Sequence, residues 1–370
     1  MGGPQTSPVP PDAVSAADYE RHARARLDPA IWAYLDGAAA DGLTRLANRA
    51  AFDDLALSPR LFASMDGAHT GCLLGAEQHD WPVMVAPMAS QTLAHPDGEC
   101  AMAVGARAAR TGFTLALQSA TPMETVASAA GSGPWWFQLY LHHGRAHAQA
   151  MIDRAEAAGA TALVVTADAP VAGIRNDEQR VGFVLPDHAR PVHLDGAAFP
   201  RPQAGPGESP VFKGLLSLAP GWDDLEWLTG RTSLPVWLKG VMTPPDAVRA
   251  VEAGVRGVIV SNHGGRVLDT LPASLEALPG IADRLAGTVP VLMDGGIRRG
   301  TDIFKALACG ADGVLIGRPV LHALAVGGAV GVAHLLTLLR AEFETAMALT
   351  GCASISDIGA SCLWPDGARG

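Results

Sequence analysis

The stretch VSNHGGRVLD, residues 260–269, sets a titratable base, His263, three residues before a fixed cation, Arg266, with two glycines between them. An imidazole can take a proton near neutral pH, and a guanidinium can grip a carboxylate through parallel hydrogen bonds. Together they suit proton abstraction from a small anionic acid held beside the base. A plain strand-to-loop turn, with the glycines supplying positive φ, is the rival reading. Other residues favour the chemical one. Asp168 is a carboxylate that could orient the imidazole, and Arg175 is a second cation. MDGGIRRG (293–300) and IGRPV (316–320) combine glycines, backbone donors and arginines as a phosphate cradle would. This inventory fits a phosphate-bearing cofactor with a small anionic substrate.

Such residues need a frame that gathers them. From about residue 80, short apolar runs alternate with alanine-rich amphipathic stretches, which predicts repeated βα units. Strands are expected at 83–86, 113–116, 136–139, 162–166, 236–239, 257–261, 291–294 and 313–316, with helices at 98–111, 145–158, 244–253 and 300–309 among those between them. Eight units predict a closed (β/α)8 TIM barrel rather than a doubly wound sheet. Polar residues then collect at the C-terminal strand ends: Gln138, Tyr140, Thr166, Asp168, Lys239, Ser261, Asn262, His263, Arg266, Asp294 and Arg318. In a barrel these ends form one ring, and the cradle follows the last two strands, where barrels bind phosphate. Residues 186–221, rich in Pro, Gly and Ala, are expected to be a lid or disordered loop after the fourth strand. Residues 15–60 read as an N-terminal helical extension. The organisation expected is a disordered leader (1–14) and a single barrel domain (15–370).

The 370 residues are 48% hydrophobic, enough for a large core, and carry a net charge of −10. That balance offers no basic stripe for nucleic acid, so an anionic substrate depends on local arginines. The five cysteines (Cys72, Cys100, Cys309, Cys352, Cys362) lack metal-ligand or CxxC spacing, so no metal site is expected and a reducing cytoplasm is. No secretory leader and no uninterrupted apolar stretch long enough for a bilayer span are read, so no membrane partner is expected.

In order along the chain, PMAS (87–90), FQLY (137–140), VTAD (165–168), LKGV (238–241), SNHGGR (261–266), DGGIRRG (294–300) and GRPV (317–320) make it resemble the FMN-dependent α-hydroxy acid oxidases and dehydrogenases. The resemblance runs over about residues 34–350. It implies FMN as cofactor, with Lys239 near the pyrimidine end of the flavin and the backbone of Pro87, Met88 and Ala89 at its reactive nitrogen. Gln138, Thr166 and Ser261 would bond the ring, Asp294 the ribityl chain, and Gly295, Gly296, Arg298, Gly317 and Arg318 the phosphate. His263 would take the hydroxyl proton of a 2-hydroxy acid, Asp168 would stabilise the imidazolium, and Tyr140 would bond the hydroxyl or developing carbonyl oxygen. Arg175, Arg266 and Tyr34 would hold the carboxylate.

Ala89 occupies a position where oxidases of this family tend to carry alanine, which favours molecular oxygen as acceptor and hydrogen peroxide as product. The alternatives are a dehydrogenase with another acceptor, a monooxygenase that couples oxidation to decarboxylation, and a flavin-binding scaffold without turnover. LHALAVGG (321–328) resembles mandelate-type oxidases, and with it comes the expectation of an aryl or bulky substrate. The family also implies a homotetramer. Four places depart from the family pattern. Gln118 stands where many relatives have an aromatic residue, Ala116 replaces a serine, Val267 replaces a glutamine, and YLDGAAADG (34–42) lacks the family's usual acidic residue before its aspartate.

Overall fold

The computed structural model describes residues 9–195 and 204–365. Three helices lead the chain: α1 (Ala16–Arg26), α2 (Pro29–Asp36) and α3 (Leu43–Asp54). Asp28 caps α2 by accepting the N–H of Ala30 at 2.8 Å, and Pro29 supplies a preset φ at the first helical position. Helix α3 starts at Gly42 without a side-chain cap of its own. Its cap comes from far along the chain, for the Asp269 carboxylate accepts the N–H groups of Asp41, Leu43 and Thr44 at 3.1, 3.2 and 2.8 Å.

An antiparallel hairpin, β1 (Cys72–Leu74) and β2 (Glu77–His79), precedes the barrel. The barrel strands are β3 (Val83–Val85), β4 (Gly112–Ala116), β5 (Trp135–Leu139), β6 (Ala162–Thr166), β7 (Val236–Val241), β8 (Gly257–Val260), β9 (Val291–Asp294) and β10 (Gly313–Ile316). They are all parallel, and β10 closes on β3. Both faces of each strand are covered, which is why they read as apolar runs rather than alternating patterns. Met84, Trp136, Trp237, Ile259, Leu292 and Leu315 fill the interior, Trp136 stacks on Trp237 at 4.9 Å, and the hairpin contributes Leu74 to the same cluster. The eight predicted strands agree with these within two residues at each end.

Outside the strands lie α4 (Gly98–Ala108), α5 (Met123–Ala130), α6 (Arg145–Ala157), the short α7 (Asn176–Arg180), α8 (Trp222–Thr229), α9 (Pro244–Glu252), α10 (Ser274–Leu285), α11 (Gly300–Ala308) and α12 (Arg318–Thr350). Helix α12 corrects one expectation: by length and composition it could cross a membrane. It is broken by non-helical backbone at Gly327 and Gly328, and its apolar residues pack against α1, α4 and α11.

Two other expectations change. The leader predicted for 1–14 is packed from residue 9 onward, with Val9 and Ala13 buried in the outer core, while 1–8 lie outside the described residues. The 186–221 segment is not structureless at its start. It forms two 3-10 turns, Asp187–Ala189 and Val192–Leu194, and buries His193 between the Leu117 carbonyl (3.1 Å) and the Met123 N–H (3.0 Å). Two unsatisfied backbone groups near the mouth thereby gain partners. Residues 196–203 of the segment lie outside the described residues.

Candidate active site

The C-terminal mouth of the barrel opens into a cavity of about 600 Å³, within the range of small-molecule and cofactor sites. Of the residues named from the sequence, Tyr34, Pro87, Met88, Ala89, Gln138, Tyr140, Thr166, Arg175, Lys239, His263, Arg266, Asp294, Gly295, Gly296, Arg298, Gly317 and Arg318 line it. Asp168 and Ser261 do not; they stand behind the lining.

His263 lies at φ +58, and Gly264 and Gly265 continue the left-handed turn at +63 and +73. A non-glycine residue holds this conformation only where its surroundings over-determine it. Here the His263 N–H donates to Ser261 Oγ (3.0 Å), the Gly265 N–H donates to the Asn262 carbonyl (3.0 Å), and Nδ1 meets Asp168 Oδ1 at 2.8 Å. With Nδ1–H donated to the carboxylate, Nε2 keeps its lone pair and can accept a proton. Burial works to raise the Asp168 pKa, but His263 and Lys239 outweigh it and hold the carboxyl below its ordinary range. Gly240, at φ +107, makes room for this aspartate, since a Cβ there would lie 2.6 Å from the Asp168 Cβ.

Ser261 stands at the end of β8 behind the cavity lining. It is fully buried and accepts from Lys239 Nζ at 2.9 Å as well as from His263. Its hydroxyl thus ties the His263 turn to the lysine. Lys239 Nζ also lies 3.0 Å from Asp294 Oδ2. Burial disfavours its charge, yet Asp294 and Asp168 more than compensate and raise its pKa.

Arg266 is enclosed, and burial followed by the charge of Arg175 lowers its pKa to about 10. Three of its Nη hydrogens go to the carbonyls of Tyr34 (2.7 Å), Leu35 (3.3 Å) and Gly37 (2.7 Å). What it offers a ligand is its charge, Nε–H and one Nη2 hydrogen. Tyr140 has its hydroxyl pKa raised by burial and by Asp168, and it feels Arg175, Tyr34 and Arg266 as well, so these groups converge on one spot. Tyr34 stacks on Phe183 at 4.6 Å.

At the other end, burial and mutual repulsion with Arg298 push Arg318 down to about 9, and burial lowers Arg298 too. Two enclosed guanidiniums beside the glycine turns at 295–296 and 317 call for an anion. Gln138 accepts the Leu117 N–H through Oε1 and keeps Nε2 unpaired, and Asp294 Oδ1 is also buried without a partner. Unpaired buried donors and acceptors on a cavity wall mark places for ligand atoms. A heterocycle with polar edges, a hydroxylated chain and a phosphate fits this donor set, so the residues present fit FMN.

Sequence reasoning missed several supports. Asn48 on α3 and Asn262 exchange amide hydrogen bonds at 2.8 and 2.9 Å beneath the His263 turn. Asp269, the cap of α3, lies inside the quoted stretch itself. Glu178 lines the cavity and pairs with Arg175 at 3.0 Å. Their partners are distant or depend on a loop, so a single segment carried no signal of them. Among the departures, Gln118 and Ala116 line the cavity, whereas Val267 does not and instead packs its backbone against Gly173.

The fold and site define a barrel enzyme whose mouth sets a His–Asp pair 2.8 Å apart in a cavity that fits FMN. The chain belongs to the FMN-dependent dehydrogenase family, which matches residues 23–365. It is an oxidoreductase with FMN as its cofactor. It is 47% identical over 346 residues to an L-lactate oxidase of Roseobacter sp. (strain GAI101), covering 93% of each chain. Glycolate oxidase of Spinacia oleracea is 39% identical over 351 residues, covering 94% of this chain and 95% of the relative. A crystal structure of mandelate oxidase with (S)-2-phenylpropionate matches with a TM-score of 0.85 at 38% identity, covering 95% of this chain and 98% of that one.

Proposed function

We propose that the protein oxidises an L-2-hydroxy acid to the 2-oxo acid and passes the electrons to molecular oxygen, giving hydrogen peroxide. The observation that carries this reading is the His263–Asp168 pair, 2.8 Å apart, in one cavity with Tyr140, Arg175 and Arg266. Bound FMN supplies the two-electron acceptor. Arg175, Arg266 and Tyr34 hold the substrate carboxylate, and Tyr140 bonds the substrate oxygen. His263 Nε2 takes the hydroxyl proton, and Asp168 stabilises the imidazolium that results. Lys239, kept charged by Asp294, places a cation at the cofactor.

Relatives named as oxidases, together with Ala89 on the cavity wall, support oxygen as acceptor. Similarity to mandelate oxidase supports a bulky or aryl side chain. A homotetramer and a cytoplasmic location belong to the same reading; light scattering of the holoenzyme measures the first.

The test is anaerobic mixing of the holoenzyme with a panel of 2-hydroxy acids, followed by admission of oxygen. Bleaching of the flavin and its recovery with stoichiometric peroxide are expected. Recovery only with an artificial acceptor would assign a dehydrogenase instead, release of carbon dioxide a monooxygenase, and no bleaching by any member would overturn the reading.

A further inference from the structure

The substrate end of the cavity carries a carboxylate of the protein's own. Glu178 Oε1 lies 3.0 Å from Arg175 Nη1 and 3.9 Å from Arg266 Nη2, and its side chain is 19% exposed, so solvent screens it only in part. It neutralises one of the two guanidiniums. The remaining positive charge matches a single substrate carboxylate. Every other cation among the described residues of the cavity wall is committed elsewhere: Lys239 to Asp294 and Ser261, and Arg298 and Arg318 at the phosphate end. On the side of the base stands Asp168, whose Oδ2 has no partner. Among the described residues, a second carboxylate on the substrate would enter the field of Glu178, and of Asp168 behind the lining, and find no unspent cation.

We infer that Glu178 restricts the site to 2-hydroxy acids with one carboxylate and excludes dicarboxylic ones. This rests on the proposed oxidation of 2-hydroxy acids and sharpens its substrate class. The physical basis is like-charge repulsion at a few ångströms in a partly desolvated pocket, which is worth more than about tenfold in affinity.

The test uses the holoenzyme and five-carbon pairs that differ only at the far end. Binding of pentanoate and pentanedioate, neither of which can be oxidised, is followed by the perturbation of flavin absorbance. Reduction by 2-hydroxypentanoate, 2-hydroxypentanedioate and the 5-amide of the latter is followed anaerobically. Wild type is expected to favour the monocarboxylate by at least about tenfold in both measurements and to accept the amide. Glu178→Gln narrows that ratio by about tenfold, and Glu178→Asp, which keeps the charge, preserves it. Equal binding of the two acids by wild type, an unchanged ratio in Glu178→Gln, or rejection of the amide as strongly as of the diacid would overturn the inference. Discrimination in binding without flavin reduction by any hydroxy acid would instead sink the reading of the reaction and leave the charge filter standing.

Discussion

The two ends of the cavity are built on different principles. At the phosphate end, the turn that carries Arg298 is held from behind by the fold. Arg49 on α3 donates to both oxygens of Asp302, at 2.5 and 3.0 Å, and to the Gly296 carbonyl at 2.9 Å. Asp302 Oδ2 in turn accepts the N–H groups of Arg298 and Arg299, at 2.8 and 3.0 Å. At the substrate end, Arg266 is held by backbone carbonyls, but the other groups lean on one another: His263 on Asp168, and Arg175, the N-cap of the five-residue α7, on Glu178 within it. On the proposed reading, the first arrangement makes cofactor retention a property of the fold. The second concentrates chemistry in groups whose loss the fold can tolerate.

The largest effect therefore belongs at the substrate end and in rate alone. His263→Ala removes the proton acceptor, and flavin reduction is expected to fall on the order of 10²- to 10⁴-fold. FMN content and melting temperature stay near wild type, because the side chain is partly exposed and is held by one carboxylate. Stopped-flow reduction and a thermal melt on the same preparation decide it. Reduction at the wild-type rate would remove His263 from the mechanism, and a colourless protein would erase the contrast between the ends.

The complementary change lies at the other end. Asp302→Ala strips Arg49 of its buried partner and orphans the N–H groups of Arg298 and Arg299. Arg49 is partly exposed and keeps Asp53, so the main cost is the orphaned N–H groups, about 1–3 kcal/mol. Urea unfolding should show that loss, and FMN should bind more weakly, while the reduction rate of the FMN-saturated variant stays within a few-fold of wild type. A stable variant with normal FMN affinity would show that the phosphate end does not depend on its backing.

The same contrast explains what could be read in advance. Parallel strands covered on both faces are apolar runs, so the eight strands were visible, and a polar residue just past such a run falls at the mouth; His263, Lys239 and Arg318 were found this way. Ser261 shows the limit of that rule, because a small polar residue at a strand end gives no sign of whether it faces the cavity or packs behind Lys239. Asn48 and Asp269 were invisible for another reason. Asn48 meets Asn262 214 positions away, and Asp269 reaches Thr44 across 225, so neither leaves a local pattern. In the 186–221 segment, proline and glycine content spoke for a loop, and the buried anchor His193 carried no periodicity to contradict it. Val267, a departure from the family after the SNHGGR motif, reads as a pocket change in sequence but lies outside the cavity lining, its backbone against Gly173.

The end of α2 joins the two regions and gives the smallest of the expected effects. Tyr34 and Gly37 offer carbonyls to Arg266, while the Asp36 carbonyl accepts from Arg45 at 2.6 Å and from Arg318 at 3.5 Å. The Asp36 side chain lies 2.6 Å from Arg45 and 3.2 Å from His322. Burial raises its pKa, but His322, Arg45 and Arg318 prevail and bring it to about 2. Because the folded value is depressed below that of the unfolded chain, the stabilisation, about 2 kcal/mol, is complete above about pH 4 and is lost as pH falls towards 2. His322, pushed down by its own burial, acts in the same direction by charging more readily in the unfolded chain. Asp36→Asn should thus lower stability at neutral pH by about this amount and flatten the acid limb of the stability profile. Since both arginine sets hang on this one turn, FMN affinity and substrate affinity should fall together in the variant, unlike in either of the other two. If only one fell, the ends would be independent, and Asp36 would serve as a local cap rather than the link between them.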